Sequence, residues 1–330
     1  MGNAQQDFFL SAPTVMIQDA IPRLDKAIKY HDNIVCSVSG GADSDILVDM
    51  TWRLDPDAKT KYVFFDTGLE MKATREQIDF LQKKYGIEIK TIKPKQPVAY
   101  VVRKHGYPFH SKLFSEFISR LQRHGFKWED RPFSELLAEY PDCKAALRWW
   151  CNAWKDGPHK PLSTEIASAA YLKEFMVKNP PAFPISPKCC DFSKKRPAKE
   201  AAQNADLTLI GIRKLEGGAR SKAYKSCFVD GKHGKQHFPL FWFDSKDKAE
   251  YEAAYNVTHS KAYTVYGCSR TGCAACPFAS RFEDELKMLE QYEPELARAV
   301  GKIFAPSYEY TRAYRKFKEE QKATARGGTK

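Results

Sequence analysis

Apolar and polar positions first sort themselves at residues 34–38, where Ile34-Val35-Cys36-Ser37-Val38 reads as a strand of the buried type. It runs into Ser39-Gly40-Gly41-Ala42-Asp43-Ser44 and then into the apolar-periodic Ile46, Leu47, Val48 and Met50, which predict a helix. Residues 61–65 form a second apolar run that ends at Asp66-Thr67-Gly68. Residues 74–85 return to helical spacing, and a short strand is expected at 87–92. A βαβαβ order of this kind predicts an α/β fold with a doubly wound parallel sheet, helices on both faces and ligands outside the carboxyl ends of the strands. The loops at 39–44 and 66–68 both sit at such ends and should line one crevice.

The alternation breaks between about 97 and 184, where 113–124 and 163–177 read as helices of an insertion, and it resumes with Leu207-Thr208-Leu209-Ile210 running into Gly211-Ile212-Arg213. The expected organisation is a helical segment over 1–30, an α/β domain over 31–280 and a basic helical extension over 281–330. At 330 residues and 43% hydrophobic the chain can bury a full core, and no apolar run reaches the roughly 20 residues of a membrane span. The start lacks the features of a secretory signal, so a cytoplasmic location without membrane association is expected. Nine cysteines in such a chain favour thiolate or metal chemistry over a disulfide framework.

The net charge of +12 is unevenly placed. Residues 181–240 hold twelve Lys/Arg against five Asp/Glu, and residues 298–330 hold nine against three. The first block suits an anionic ligand. The second, with Tyr308, Tyr310, Tyr314 and Phe317 among its cations, suits either a DNA or RNA backbone or a surface helix whose rings pack on the core.

Chemistry concentrates in three places. In the first loop Gly40 and Gly41 allow a tight turn and close approach, while Ser39, Ser44 and the N–H groups of a helix start offer donors, so the expected ligand is a phosphate chain. No Gly-Lys-Ser/Thr follows, which separates it from the Walker loop. Cys268, Cys273 and Cys276 fall within nine residues, and Cys189-Cys190 form an adjacent pair, enough sulfur for zinc or an iron–sulfur cluster. Cys36 and Cys143 read as apolar fillers. Arg213 and Arg220 around Glu216, with Lys194 after the cysteine pair, are candidate anion clamps.

Taken in order, Ser39-Gly40-Gly41-Ala42-Asp43-Ser44, Asp66-Thr67-Gly68-Leu69-Glu70 with Thr74, Cys189-Cys190, Gly211-Ile212-Arg213 with Glu216 and Arg220, and Tyr266 to Pro277 with its three cysteines resemble the phosphoadenosine phosphosulfate (PAPS) reductase family of the PP-loop ATP pyrophosphatase superfamily. The resemblance implies the adenine nucleotide α-hydrolase fold. It implies an adenine nucleotide bound by Ser39, Gly40, Gly41, Asp43, Ser44, Asp66, Thr67 and Gly68, with Asp43, Lys194, Arg213 and Arg220 in catalytic roles. It also implies a [4Fe-4S] cluster on Cys189, Cys190, Cys273 and Cys276, with Cys268 as a further candidate and Zn²⁺ as the alternative. Two departures matter: Ser193 stands where the family has an arginine before the substrate lysine, and no cysteine follows Cys276, whereas sulfonucleotide reductases use a late nucleophilic cysteine. The resemblance is therefore nearer to reductase-like proteins of DNA phosphorothioation and, more distantly, tRNA thiolation. These imply an enzyme that splits ATP with Mg²⁺, adenylates an acceptor, possibly nucleic in nature, and passes sulfur to it, with a cysteine desulfurase as donor and a homodimer as candidate assembly. The rival readings are a reductase of PAPS or adenylylsulfate using Cys151 or Cys227, and a non-catalytic nucleic-acid-binding protein with structural zinc.

Overall fold

Strand β1 (Ile34–Val38) is buried at every position but Ser37 and pairs in parallel on both sides. On one side lies β2 (Thr60–Phe65), with Ile34 opposite Thr60, and on the other β4 (Leu207–Ile210), with Ile34 opposite Leu207. β3 (Ile89–Ile92) extends the parallel ladder past β2. Past β4 come β6 (Gly234–His237), parallel to it, and β5 (Phe228–Gly231), antiparallel to β6. The order is β3-β2-β1-β4-β6-β5, the α/β sheet expected from the sequence with one antiparallel hairpin at its edge. In this computed structural model the described residues are 8, 12–155, 157, 160–216, 224–231 and 234–327. They form two units, one of Met1–Lys95, Ser193–Ala274 and Gln291–Glu293, the other of Gln96–Phe192, Ala275–Glu290 and Pro294–Lys330.

The sheet belongs to the first unit. Its period of two sends Ile34, Cys36, Val38, Tyr62, Phe64, Ile89, Leu207 and Leu209 to one face, where they pack with helices α1 (Val15–Lys29), α2 (Ala42–Leu54) and α3 (Lys72–Tyr85). α2 is buried almost all round, with Ile46, Leu47, Val48 and Met50 fully inaccessible, which is why its apolar residues run together instead of forming a stripe. Each such side chain stabilises the fold by about 1.5–3 kcal/mol. Thr14 starts α1 by accepting the Ile17 N–H and donates its hydroxyl to Asp247 at 2.7 Å, fastening α1 to the helix Ser245–Tyr255.

The second unit is helical, and its core is aromatic: Phe109, Phe114, Phe117, Trp149, Trp150, Phe175 and Tyr314 are buried together. The tail contributes two helices, Pro294–Ile303 and Ala305–Gly327. Tyr308 is 2% exposed, stacks on Phe282 at 4.7 Å and donates to the Ala275 carbonyl, while Tyr310 and Tyr314 donate to the carbonyls of Asn179 and Ala170. Phe317 packs on Phe175. Of the two readings of the tail's rings, packing on a core is the one realised. The helix expected over 163–177 is interrupted. Glu165 accepts the Leu162 N–H and Ser168 donates to the Glu165 carbonyl, local bonds that compete with helix; Tyr171 then turns left-handed at φ 62°, and regular helix starts only at Leu172. Among the described residues no helix is long and apolar enough to cross a membrane.

Gly106 ends the helix Val98–His105 at φ 105°, and a Cβ there would lie 2.8 Å from the Pro184 carbonyl oxygen. Gly125 is also left-handed, at φ 68°, but a Cβ there meets nothing within 4 Å. Gly106→Ala is expected to lower stability by about 2–4 kcal/mol and Gly125→Ala by about 1 kcal/mol, as measured by thermal or urea unfolding. Equal losses would show that the Pro184 contact carries no weight.

Candidate functional site

At the carboxyl end of β1 the chain turns through Gly40 at φ 63° into α2. The Ser44 hydroxyl organises this turn: it accepts the N–H groups of Ser39 (3.2 Å) and Gly41 (3.1 Å) and donates to the Gly41 carbonyl at 2.8 Å. The Ser39 hydroxyl also accepts the Gly41 N–H at 3.3 Å. A Cβ on Gly40 would fall 2.7 Å from Thr74 Cγ2, so only glycine fits there. On Gly41 it would fall 2.9 Å from Thr271 Oγ1 and 3.3 Å from Tyr263 Oη. The Ala42 N–H donates to Tyr263 Oη at 3.3 Å. The result is a concave ring of hydroxyls and N–H groups at the positive end of a helix, which suits an oxyanion.

The first turn of α2 carries two acidic groups into the interior. Asp43 accepts from Arg213 Nε at 2.9 Å and pairs with Lys248 at 3.1 Å. Burial pushes its carboxyl up, but these two cations outweigh burial and hold it below the usual carboxylate value. Asp45 is 0% exposed and meets His259 Nδ1 at 2.8 Å and Gln77 Nε2 at 3.2 Å. Burial pushes it up to about 6, with His259 pulling the other way. The second ring nitrogen of His259 lies 2.8 Å from Glu252. A ring between two carboxylates must donate from both nitrogens, so His259 is an imidazolium: burial works against the charge, and the Asp45 and Glu252 carboxylates prevail and raise it to about 9.

The second loop follows β2. The Gly68 N–H donates to Asp66 at 2.8 Å, and Arg75 holds the same carboxylate through two nitrogens at 3.1 and 3.2 Å. Burial raises the Asp66 carboxyl, while Arg75 and the Gly68 N–H bring it below its ordinary value. Glu70 is inaccessible, accepts both the N–H and the hydroxyl of Thr67, and pairs with Lys194 Nζ at 3.5 Å; burial leaves its carboxyl raised against the pull of Lys194. Thr67 Oγ1 is 3.5 Å from Cys273 Sγ, and the Ala274 N–H donates to the Leu69 carbonyl at 2.8 Å. Lys194 Nζ is also 3.9 Å from where a Gly272 Cβ would stand. Segment 271–274 thus runs from the first loop to the second.

The structure brings Ser39, Gly40, Gly41, Asp43, Ser44 and Arg213 together, and Asp66, Thr67, Gly68 and Lys194 likewise. Arg220 lies outside the described residues. Cys268 and Cys273 belong to the first unit, and Cys189, Cys190 and Cys276 to the second. Among the described residues no group of three or more Cys, His, Asp or Glu side chains is arranged to hold a metal ion.

Residues 33–127, which contain both loops, match the family model of the phosphoadenosine phosphosulfate reductase domain. This segment is similar to that domain. Over 244 residues the chain is 22% identical to an adenosine 5'-phosphosulfate reductase of Geobacillus sp. (strain WCH70), covering 73% of each protein. A second relative, adenosine 5'-phosphosulfate reductase 1 of Bacillus subtilis (strain 168), is 33% identical over 78 residues, 23% of this chain and 33% of the relative. Among solved structures, the PAPS reductase of Candida auris in its phosphate complex aligns with a TM-score of 0.41 at 13% identity, covering 77% of this chain and 87% of that one. A U34-tRNA thiolase from Methanococcus maripaludis with its [4Fe-4S] cluster aligns with a TM-score of 0.34 at 13% identity, covering 90% and 78%.

Lys248, Glu252, His259 and Tyr263, which complete the surroundings of the first loop, went unnoticed in the sequence. For Lys248 and Glu252 the one signal is their helix, Ser245–Tyr255, which is rich in charge yet buries Tyr251; His259 and Tyr263 lie beyond it. Because the folded-state value of His259 is raised, its stabilisation is full below about pH 6.5 and is lost as pH rises through 9. Unfolding free energy should therefore fall by at most about 3 kcal/mol between pH 6.5 and 9.5. His259→Asn should be less stable at pH 7 and flat over that window. An unchanged slope in the variant would place the titration elsewhere.

Proposed function

We propose that the chain is an adenine-nucleotide-dependent enzyme of sulfur chemistry, and specifically one that splits ATP between the α and β phosphates to adenylate an acceptor. The observation that carries this is the hydroxyl-lined loop of Ser39, Gly41 and Ser44 at the amino end of α2, next to a conformationally fixed second loop. The phosphates would rest on residues 39–44, the adenosine near Asp66, Thr67 and Gly68, and Mg²⁺ between phosphate oxygens and carboxylate. An acceptor oxygen attacking the α-phosphorus would expel pyrophosphate, its charge met by Lys194 and Arg213, with Arg220 in the same expected role. Arg213 would share its guanidinium between Asp43 and the ligand, since a planar fork can serve two anions. Cys189, Cys190, Cys268, Cys273 and Cys276 are the thiols that would hold an iron–sulfur cluster or zinc.

The relatives favour a second reading, reduction of adenylylsulfate or PAPS, because both of those named are adenosine 5'-phosphosulfate reductases. The two readings separate on products: AMP and pyrophosphate from ATP, or sulfite from the sulfonucleotide with a thiol reductant and no ATP. Gly41→Val puts a branched side chain against Thr271 and Tyr263 where phosphate would approach, and is expected to weaken nucleotide binding at least 100-fold by calorimetry while the thermal midpoint holds within a few degrees. Unchanged affinity would remove the loop from the site.

A nucleic-acid acceptor is supported by the basic tail, though by fewer groups than its composition offers. Arg312 pairs with Glu283 at 2.9 Å, and Arg315 donates to the Ser280 carbonyl and lies over the Phe282 ring. Lys316 and Lys322 pair only with exposed carboxylates of their own helix, Glu320 at 4.0 Å and Glu319 at 2.9 Å, pairs that a phosphate can displace. Replacing Lys316, Lys318 and Lys322 by Gln should flatten the log–log salt dependence of DNA or RNA binding by up to about 2.7, three contacts at roughly 0.9 each. A wild type without salt-dependent affinity for either polymer would return the acceptor to the small molecules.

A further inference from the structure

Tyr263 stands on the short helix Lys261–Thr264, which Ser260 fixes by accepting the Ala262 N–H at 3.2 Å and donating to the Ala73 carbonyl at 2.8 Å. Its phenolic oxygen accepts two backbone N–H groups: that of Ala42, the first residue of α2, at 3.3 Å, and that of Thr271 at 3.2 Å. It also lies 3.5 Å from Thr271 Oγ1. Two residues further on, Cys273 Sγ is 3.5 Å from Thr67 Oγ1 and the Ala274 N–H is bonded to Leu69. Segment 263–274 is therefore pinned at one end on the anion loop and at the other on the loop after β2.

We propose that Tyr263 is a positioning residue that makes the conformation of the Cys268 to Cys273 segment depend on occupancy of the anion loop. The inference rests on the phosphate-site reading above. An oxyanion at the amino end of α2 and the Tyr263 phenol compete for the same Ala42 N–H. The anion is the stronger acceptor, because its bonds are charge-assisted and it gains from the helix dipole, which a neutral phenol does not. Arrival of a nucleotide phosphate displaces the phenol, and Thr271 loses the acceptor of its N–H at the same moment. The segment then disengages from its anion-loop end and its thiols change exposure. Thiol chemistry on this segment is thereby confined to the nucleotide-bound molecule.

The test uses the full chain, anaerobically prepared, with ATP, adenylylsulfate and pyrophosphate as probes. Tyr263→Phe keeps the ring and removes the acceptor, so nucleotide should bind about 3–10-fold more tightly, the worth of one neutral hydrogen bond no longer competing. In wild type, iodoacetamide labelling of Cys268, which a cluster on Cys189, Cys190, Cys273 and Cys276 does not use, read by peptide mass spectrometry against Cys151 and Cys227 as internal references, should accelerate when a probe is added. In Tyr263→Phe it should be fast from the start and insensitive to the probe. Tyr263→Leu, which also removes the phenolic acceptor from the Ala42 and Thr271 N–H groups, should tighten binding in the same direction and serves if Tyr263→Phe does not fold. Weaker nucleotide binding in Tyr263→Phe would make the phenol a direct ligand contact and overturn the coupling. Labelling in wild type that ignores bound nucleotide would overturn it too. A wild type that binds none of the three probes overturns the phosphate-site reading and the coupling with it, whereas the former outcomes leave that reading standing.

Discussion

Withdrawal of two aspartates of the first turn of α2 from water, Asp45 completely and Asp43 in large part, is the constraint on which the rest of the first unit depends. The turn needs them least for capping, since Ser44 already satisfies the loop's N–H groups. Carboxylates near a helix start gain up to roughly 1 kcal/mol from the dipole, whereas removing one from water costs several kcal/mol unless a cation and hydrogen bonds replace the hydration. Asp43 and Asp45 are therefore tenable only if partners come to them. Arg213 arrives from the end of β4, 170 positions away, and His259 from 214 positions away, with Lys248 and Glu252 from the helix between. Bringing those groups in also fixes where Tyr263 and segment 271–274 lie. A charge requirement at one helix start thus assembles the site's whole surroundings.

That economy has a chemical consequence. Arg213 and Lys248 are held next to the first loop by Asp43, so, if that loop takes a phosphate as proposed, positive charge is in place without having to be ordered. Their charge is partly neutralised by Asp43, which limits non-specific anion binding; a ligand that gains must also use the loop's N–H groups and hydroxyls. In the second loop Glu70 does the same for Lys194, holding the ammonium beside Thr67 and Gly272. All three cations are pre-positioned by a carboxylate, and preorganisation of this kind is what electrostatic catalysis requires.

What the sequence made legible were features confined to one short run. β1, the glycine turn and α2 are contiguous, as are β2 and residues 66–68, and period and turn chemistry suffice to read them. His259 was illegible because its meaning lies in two carboxylates distant along the chain, and a single histidine has no periodicity. The helix Ser245–Tyr255 hid its role because Lys248 and Glu252 look like solvated charge until Asp43 and His259 are known to face them. The tail shows the reverse case. Its aromatic and basic residues allow two readings by composition, and only the carbonyl partners of Tyr308, Tyr310 and Tyr314 decide that the rings are core. Over 163–177 the apolar spacing is that of a helix, but Glu165 and Ser168 bond to nearby backbone, and such competition leaves little trace in a hydrophobic pattern.

The segment similar to a PAPS reductase domain, residues 33–127, contains both loops but none of the groups that face them from elsewhere: Lys194, Arg213, Lys248, His259, Tyr263, Thr271 and Cys273 all lie beyond it. Binding a phosphate chain needs a turn, hydroxyls and N–H groups, and those are local. Choosing between attack on an α-phosphorus and attack on a sulfonucleotide sulfur depends instead on which nucleophile reaches the ligand and which cation meets the leaving group, and those come from distant segments. A domain can therefore be shared across reactions while the reaction itself is set by the residues brought to it. In this chain the buried aspartates of α2 do the bringing. Under the proposed function, changing Arg213 would disturb the architecture and the chemistry together, because its contact with Asp43 would serve both.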